Sequence, residues 1–430
     1  MAKITDELDF QSTVNQVVPV IIETNPAHRD SILEALPFHT RVSNLSSRDR
    51  SFIGAFATKS SLDDLSAEPS IVTIHYDRPI KIVDRPVLGG IGQNAHAIVH
   101  DFINKAWYSA PTRVKVGQFP TGYTRKVLGV EDAEKDGITG KGIRLAVCDT
   151  GLATSHQLRV GDAITASVKA QDFGNVDDSG HGTWCNNSIK GPEYEVAKGW
   201  VLKGMALDVE LISIRTLFTP AGAGNNSDVL KAVEMAVEQF NANVISMSLG
   251  SESATPEGDP IQAMIQEYSK RGVVFVLAAG NSGEKGPGTI NSPGDVEEAV
   301  TVGSISIQDA KRSYYSSMGP TVDGRIKPDV ACLGGGRADK TLKPSESIIS
   351  SSAGMIDMLD YIPDKVASIQ GTSMATPQCA GIIALWMEYA NKHLGISMTE
   401  SEIKKILSAH ATSKDNELGW GLINYNMIKM

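Results

Sequence analysis

Residues 142–151 read GIRLAVCDTG: an apolar run that carries a single carboxylate, Asp149, and stops on a Thr-Gly turn. A strand without polar alternation is buried on both faces, which is the mark of a parallel sheet covered by helices. The same grammar recurs downstream. "VELISIRTL", "NVISMSLG", "VVFVLAAG" and "AVTVGSI" are further apolar strands, separated by the amphipathic stretches "SDVLKAVEMAVEQF" and "IQAMIQEYSKRG". The expected fold class is therefore α/β, with three layers and a central, mostly parallel sheet between helices. Near the end, "MTESEIKKILSAHAT" has Thr399 and Glu402 at capping-box spacing, which predicts a final amphipathic helix.

In such sheets the reacting groups belong at the carboxyl ends of strands and in the loops beyond them. Asp149 is one such group. "DSGHGTWCNNSI" sets His181 in a Gly-flanked turn at a predicted helix start, and "SIQGTSMATPQCAG" sets Ser373 at the start of an apolar helix. Free backbone amides at such a start favour developing negative charge. Pro377 is expected in the first turns, where its missing amide hydrogen costs little. Taken singly, each residue has a plain structural reading: a capping aspartate, a loop histidine, a turn serine. Together they form a chemical set, because a serine needs a base to take its proton and the base needs a carboxylate to orient it. "VVFVLAAGNSG" adds Asn281 in a turn, a side-chain donor for an oxyanion beside the amide of Ser373.

The first part of the chain is different. "VVPVIIET", a helix opened by Asn25 and Pro26 with Ile32, Leu33 and Leu36 on one face, "RVSNLSS", "SFIGAFAT", a short serine-capped helix in "SSLDDLSAE", and "SIVTIHY" give the order β-α-β-β-α-β. The expected organisation is an N-terminal extension (1–16), a small α+β ferredoxin-like domain (17–78), a linker with a helix at "AHAIVHDFINKAW" (79–117) and the α/β domain (118–430). The linker's "GIGQNA" is only a loose match to a dinucleotide fingerprint, lacking a clean preceding strand and an acidic ribose reader.

The 430 residues are 41% hydrophobic and 21% charged, a globular composition with length for two or three domains. A net charge of −10 without a basic run argues against nucleic-acid binding. No apolar run reaches membrane-spanning length and "MAKITDELDFQSTVNQ" lacks signal-peptide features, so a cytoplasmic location is expected, or a secreted one if a leader was omitted from the given chain. Four isolated cysteines, Cys148, Cys185, Cys332 and Cys379, read as reduced buried thiols.

In their order, "AVCDTG", "GHGT", "SMSLGS", "AAGNSG", "SSMGP", "KPDV" and "GTSMATP" resemble the subtilisin-like serine protease family, and the resemblance covers Tyr123 to Asn424. It implies a serine endopeptidase working through an acyl-enzyme. Asp149 would orient the base, His181 would be general base and then acid, Ser373 the nucleophile and Asn281 the oxyanion donor. It also implies substrate contacts: Ser248, Leu249 and Gly250 with Ala278, Ala279 and Gly280 as pocket walls, and Gly222 and Gly224 in "GAG" as an edge that pairs with extended peptide. Asn291 aligns at the pocket floor where the family usually has glycine, which predicts a shallower or more polar pocket.

Departures from the family pattern are Trp184 and Cys185 after "HGT" and "CLGGG" after "KPDVA". A thiol at Cys185 so near the base suggests inhibition by mercurials. No cofactor is required for the chemistry. Calcium often stabilises this family, but "SIKGPEYEVAKGWVLKGM" does not reproduce the usual metal loop, so the metal ligands stay unknown.

The small first domain is similar to the family's propeptides, which assist folding and inhibit by laying a tail through the cleft; here the tail is "DRPIKIVDRPVLGG". Self-processing is expected between Pro79 and Gly117, near Gly89, Gly90 and Gly92. The expected partners are peptide or protein substrates and the chain's own N-terminal domain as inhibitor, without nucleic acid or membrane and with the oligomeric state open. The competing reading is a catalytically silent relative that binds peptides. A nucleotide-binding enzyme has little support, since "GITGKGIR" lacks the Ser/Thr that follows a phosphate-loop Gly-Lys.

Overall fold

The computed structural model describes residues 3–4, 17–36, 39–44, 50–82, 85–86, 118–153, 160, 162–169, 176–197, 199–255, 258–342, 345–354 and 366–429. The expected linker helix at 95–107, the "GIGQNA" stretch, the linker glycines and most of the N-terminal extension lie outside these residues.

The first 76 residues build a five-stranded sheet from β1 (Lys3–Ile4), β2 (Val18–Thr24), β3 (His39–Asn44), β4 (Ser51–Ala57) and β5 (Ile71–Tyr76), in the order β1-β5-β2-β4-β3. Helices α1 (Arg29–Ala35) and α2 (Lys59–Ala67) complete it. Asn25 accepts a hydrogen bond from the Ala27 amide beside Pro26, as its sequence position implies. The cap of α2 is Thr58 rather than a serine, because Thr58 and Ser61 satisfy each other's backbone in a capping box. Strand β1, in the expected extension, adds in parallel to β5.

Next come β6 (Pro79–Ile82), β7 (Arg85–Pro86) and β8 (Gln118–Pro120), then α3 (Thr121–Val127) and α4 (Val130–Lys135). The main sheet uses β9 (Arg144–Asp149), β10 (Ile164–Ser167), β13 (Glu210–Arg215), β15 (Val244–Met247), β17 (Val274–Ala278), β18 (Val300–Ile305) and β19 (Val330–Leu333), all parallel, in the order β10-β13-β9-β15-β17-β18-β19. Between them lie α5 (His181–Lys190), the hairpin β11 (Tyr194–Ala197) and β12 (Trp200–Leu202), β14 (Ala223–Asn225), α6 (Asn226–Glu234), β16 (Leu249–Gly250) and α7 (Pro260–Lys270). Strands β20 (Ser347–Ser351) and β21 (Val366–Gln370) lead to α8 (Thr372–Tyr389) and α9 (Glu400–Ala409).

Strand β9 explains why its sequence is apolar throughout. Leu145 and Val147 enter one core with α5 and α8, whereas Ala146 and Cys148 enter a second core with α6 and α7. Both faces are covered, so neither can be polar. The second core also takes in Ile21, Phe52 and Ile80, so the first domain's sheet rests on α6 and shares its apolar burial. The C-terminal segment seals the first core: Ile423 and Tyr425 are fully buried, the Ile423 amide donates to Ala331 O, and the Trp386 indole donates to Tyr425 O. The four cysteines are free and buried. Among the described residues no helix is long and apolar enough to cross a membrane.

Candidate active site

Asp149 closes β9 at the carboxyl end of the sheet, with its side chain buried. Its Oδ1 accepts from the Thr150 amide and from His181 Nδ1, each at 2.7 Å. An ionised carboxylate only accepts, so the proton of the neutral imidazole is on Nδ1 and Nε2 carries the lone pair.

His181 opens α5, and the turn before it needs a glycine. Gly180 has φ +93°, and a Cβ there would stand 1.7 Å from Ala353 O. A residue the sequence reading missed fixes this turn: buried Asp177 accepts from the amides of Ser179, Gly180 and Thr183 and from the Thr183 hydroxyl. Burial nevertheless holds its carboxyl above the ordinary range, those hydrogen bonds only partly opposing it. Thr150 Oγ1 accepts from the Gly182 amide and Thr183 Oγ1 from the Ala153 amide, so the turn after β9 and the start of α5 are stitched together. The available sequence signal was an aspartate four residues before the histidine, ahead of a helix start.

Burial alone pulls the His181 imidazole pKa down. The charge of Asp149 and its hydrogen bond outweigh this and hold it well above the ordinary value. Cys185 lies beneath, with Sγ 3.9 Å from His181 Nδ1. Burial pushes its thiol up to about 11 even though the imidazole pulls the other way. It is neutral at pH 7, so the elevation of His181 rests on Asp149.

Ser373 is the second residue of α8 and fully buried. It is tied reciprocally to Ser248: Ser373 Oγ donates to Ser248 O at 3.2 Å, and Ser248 Oγ donates to Ser373 O at 3.0 Å. The second bond has a cause in the sequence. Pro377 lies in the first turns, as expected, but at the sixth helical position, so it removes the amide that would have bonded the Ser373 carbonyl; Ser248 supplies the donor instead. His181 Nε2 has no hydrogen-bond partner among the described residues. The Asp149–His181 link is therefore formed, while the serine hydroxyl is engaged by Ser248, one χ1 rotation being the degree of freedom that re-aims it.

Asn281 follows β17, and its Oδ1 accepts from both the amide and the hydroxyl of Thr372 at 3.0 Å. The oxygen end of the side chain is thus committed and the NH₂ end is the donor. Gly280 donates to Thr372 Oγ1, Ala278 ends β17, and Ala279 O accepts from Asn291, so the 278–280 wall abuts the helix start that carries Ser373. The other expected wall, Ser248, Leu249 and Gly250, runs into β16, with Ser248 tied to Ser373 by the bonds above.

Between β14 and β16 runs the chain's own β6, antiparallel to both. Ile80 pairs with Gly224, Lys81 with Ala223 and Gly250, and Ile82 with Leu249, while the Ile82 amide donates to Gly222 O. The expected substrate-contact segments 222–224 and 248–250 thus flank one strand of the chain itself. On its far side β7 pairs with β21, with Arg85 opposite Gln370. The first domain is fastened nearby: Asp77 accepts from the Ser227 amide (2.9 Å) and hydroxyl (2.6 Å) at the start of α6, and Arg78 donates to Asp259 at 2.5 Å. Among the described residues, the one cluster of three side chains close enough to hold a metal is Asp149, His181 and Cys185, already joined by the contacts above.

Comparison with known proteins gives a consistent picture. A family model described as the subtilase family matches residues 140–421. Serine protease AprX of Bacillus subtilis (strain 168) is 32% identical over 315 residues, 67% of this chain and 66% of that protein. The major intracellular serine protease of the same organism is 28% identical, with 67% of this chain and 81% of that protein aligned. Subtilisin DY of Bacillus licheniformis is 28% identical, with 70% and 96% aligned.

Proposed function

The chain belongs to the subtilase family and is a subtilisin-like serine endopeptidase, whose chemistry needs no cofactor; from this premise we propose which residues act and how the first domain restrains them. Ser373 Oγ rotates from Ser248 O toward His181 Nε2, gives up its proton there and bonds to the substrate carbonyl carbon. Asp149 holds the imidazole and stabilises the imidazolium. The oxyanion is met by Asn281 Nδ2 and the Ser373 amide. Collapse breaks the C–N bond, with the proton passing from His181 to the leaving amine. Water then attacks the acyl-enzyme with His181 as base, releasing the acid and restoring Ser373.

Residues 17–78 with β6 act as a built-in inhibitor, and the enzyme removes them from itself. One observation carries this reading: β6 occupies the edge between Gly222–Gly224 and Leu249–Gly250 in strand register, as an extended peptide would. The register also bears on the bond cut. Ile82 meets Leu249, next to Ser248, and Arg85 meets Gln370, three residues before Ser373, which supports a processing bond between Ile82 and Arg85, upstream of the glycines first expected. Processing releases a free enzyme that acts on peptides and proteins, and such gating suits a cytosolic location.

The test is intact mass against time for wild type and Ser373→Ala. Wild type separates into fragments divided between Ile82 and Arg85, and the variant stays whole. Two intact proteins would sink self-processing. The engagement of Ser373 Oγ by Ser248 also suits a silent peptide-binding module, and a fluorophosphonate probe separates the two readings because only an activated serine is labelled.

A further inference from the structure

Arg78, the residue before β6, is 2% exposed because its guanidinium fills a hollow of the α/β domain. One terminal nitrogen donates to Asp259 Oδ2 at 2.5 Å and lies 3.5 Å from Ser292 Oγ, while the other donates to Ala254 O at 3.2 Å. The α/β domain fixes these acceptors by bonds of its own. Asp259 caps α7, its Oδ1 accepting from the Ile261 amide at 2.8 Å, so the second oxygen is left for the arginine. A further carboxylate, Asp295, accepts from the Thr255 amide at 2.7 Å and the Thr255 hydroxyl at 2.5 Å, and that hydroxyl lies 2.7 Å from Ser292 Oγ. Burial lifts the Asp295 carboxyl above its ordinary range, against the Thr255 hydrogen bonds and the charge of Arg78. Two buried carboxylates thus lean on one cation that belongs to the first domain, and its departure takes their counter-charge away.

We propose that this hollow is a guanidinium-binding site of the α/β domain which, once the first domain has left, selects protein substrates that carry an arginine at the corresponding place; the inference rests on the reading of β6 as a substrate-like strand that is removed. The place is set by the strand register. Ile82 pairs with Leu249, and Arg78 lies four residues before it, beyond the stretch that pairs with 222–224 and 248–250. Arginine is selected over lysine because the acceptors are divided between two terminal nitrogens, a spread that a planar fork spans and a single ammonium does not. Substrate choice by this site is independent of the side chains next to the cleaved bond.

The experiment measures kcat/KM for internally quenched peptides spanning Asp77 to Val87 with arginine, its neutral isostere citrulline, or lysine at position 78. Processed wild type and Asp259→Asn are diluted until activity is proportional to concentration, so that the released domain does not compete. Asparagine retains the helix cap and removes the charge. In wild type, arginine exceeds citrulline by about tenfold or more, with lysine between them. In Asp259→Asn the ratio of arginine to citrulline falls below about threefold, and taking the ratio within each enzyme cancels any general loss of activity. Equal rates for arginine and citrulline in wild type, or an unchanged ratio in the variant, overturn the proposal; lysine equal to arginine overturns the guanidinium assignment. Intact mass and fluorophosphonate labelling accompany each sample. An unlabelled or uncleaved wild type refutes the reading on which the inference rests, whereas a labelled, processed wild type without arginine preference refutes this inference alone. If Asp259→Asn is not labelled, Asp259→Ser, which also caps a helix, must show the same fall in the ratio.

Discussion

Asp77 gives the sharpest handle on the proposed inhibitory arrangement. It belongs to the first domain, is 2% exposed, and places one carboxylate oxygen on the Ser227 amide and the other on the Ser227 hydroxyl. That amide is one of the orphan donors at the N-terminus of α6. Asp77→Ala removes two charge-assisted hydrogen bonds and a favourable charge at the positive end of a helix. The gross loss is about 3–4 kcal/mol, and relief from burying a carboxylate returns about half, leaving a net of about 2 kcal/mol. That corresponds to about 30-fold weaker association of the first domain after processing. The assay is peptidase activity of the processed mixture as a function of total concentration: dilution frees the enzyme, and in Asp77→Ala half-maximal release occurs at about 30-fold higher concentration. Ser227→Ala, which keeps the amide, should show a smaller shift, and the double variant should fall short of the sum because both changes break the same contact. An Asp77→Ala curve that overlays wild type would refute the reasoning, since the cap would then contribute nothing to holding the domain.

Three further outcomes follow from the charges. Catalysis needs neutral His181, whose pKa Asp149 holds up, so the rising limb of kcat/KM should lie above the ordinary histidine value of about 6.5, and a limb at or below that value would contradict the coupling. The same shift stabilises the fold fully below about 6.5, and this contribution fades as pH rises through the elevated value, which urea unfolding of Ser373→Ala at several pH values would register. Asp329 is fully buried with Lys327 at 2.6 Å, Lys414 at 2.7 Å and Lys404 at 3.7 Å. Burial raises its pKa, but the three ammonium groups outweigh this and hold the carboxyl well below its ordinary range, while burial brings Lys327 down to about 8. Asp329→Asn should therefore cost about 3–5 kcal/mol in urea unfolding, and a loss under about 1 kcal/mol would mean that the lysines find other partners.

What could be read from the sequence was local. Asp149, His181, Ser373 and Asn281 sit where a strand or helix pattern changes, and such changes are written in consecutive residues. The long apolar strands were legible for the same reason. The edge strand β10, with its half-exposed ITAS, and the four-residue β19 carry too little pattern to stand out. Asp177 was missed because its role depends on four donors gathered by a turn, and the compensation for Pro377 was missed because the donor, Ser248, is 125 residues from the carbonyl it satisfies. The register of β6 against β14 and β16 is likewise a tertiary fact, set by how the first domain seats on α6.

The seal formed by Ile423 and Tyr425 bears on biosynthesis. These residues close the core behind α8, so a chain still emerging from the ribosome has its nucleophile helix without the backing that holds it. The first domain precedes α8 in the chain, and the backing follows it. Under the proposed restraint, the site thus gains its backing only after the domain that restrains it has been made, and premature termination upstream of Ile423 yields a fragment that lacks the wall behind Ser373.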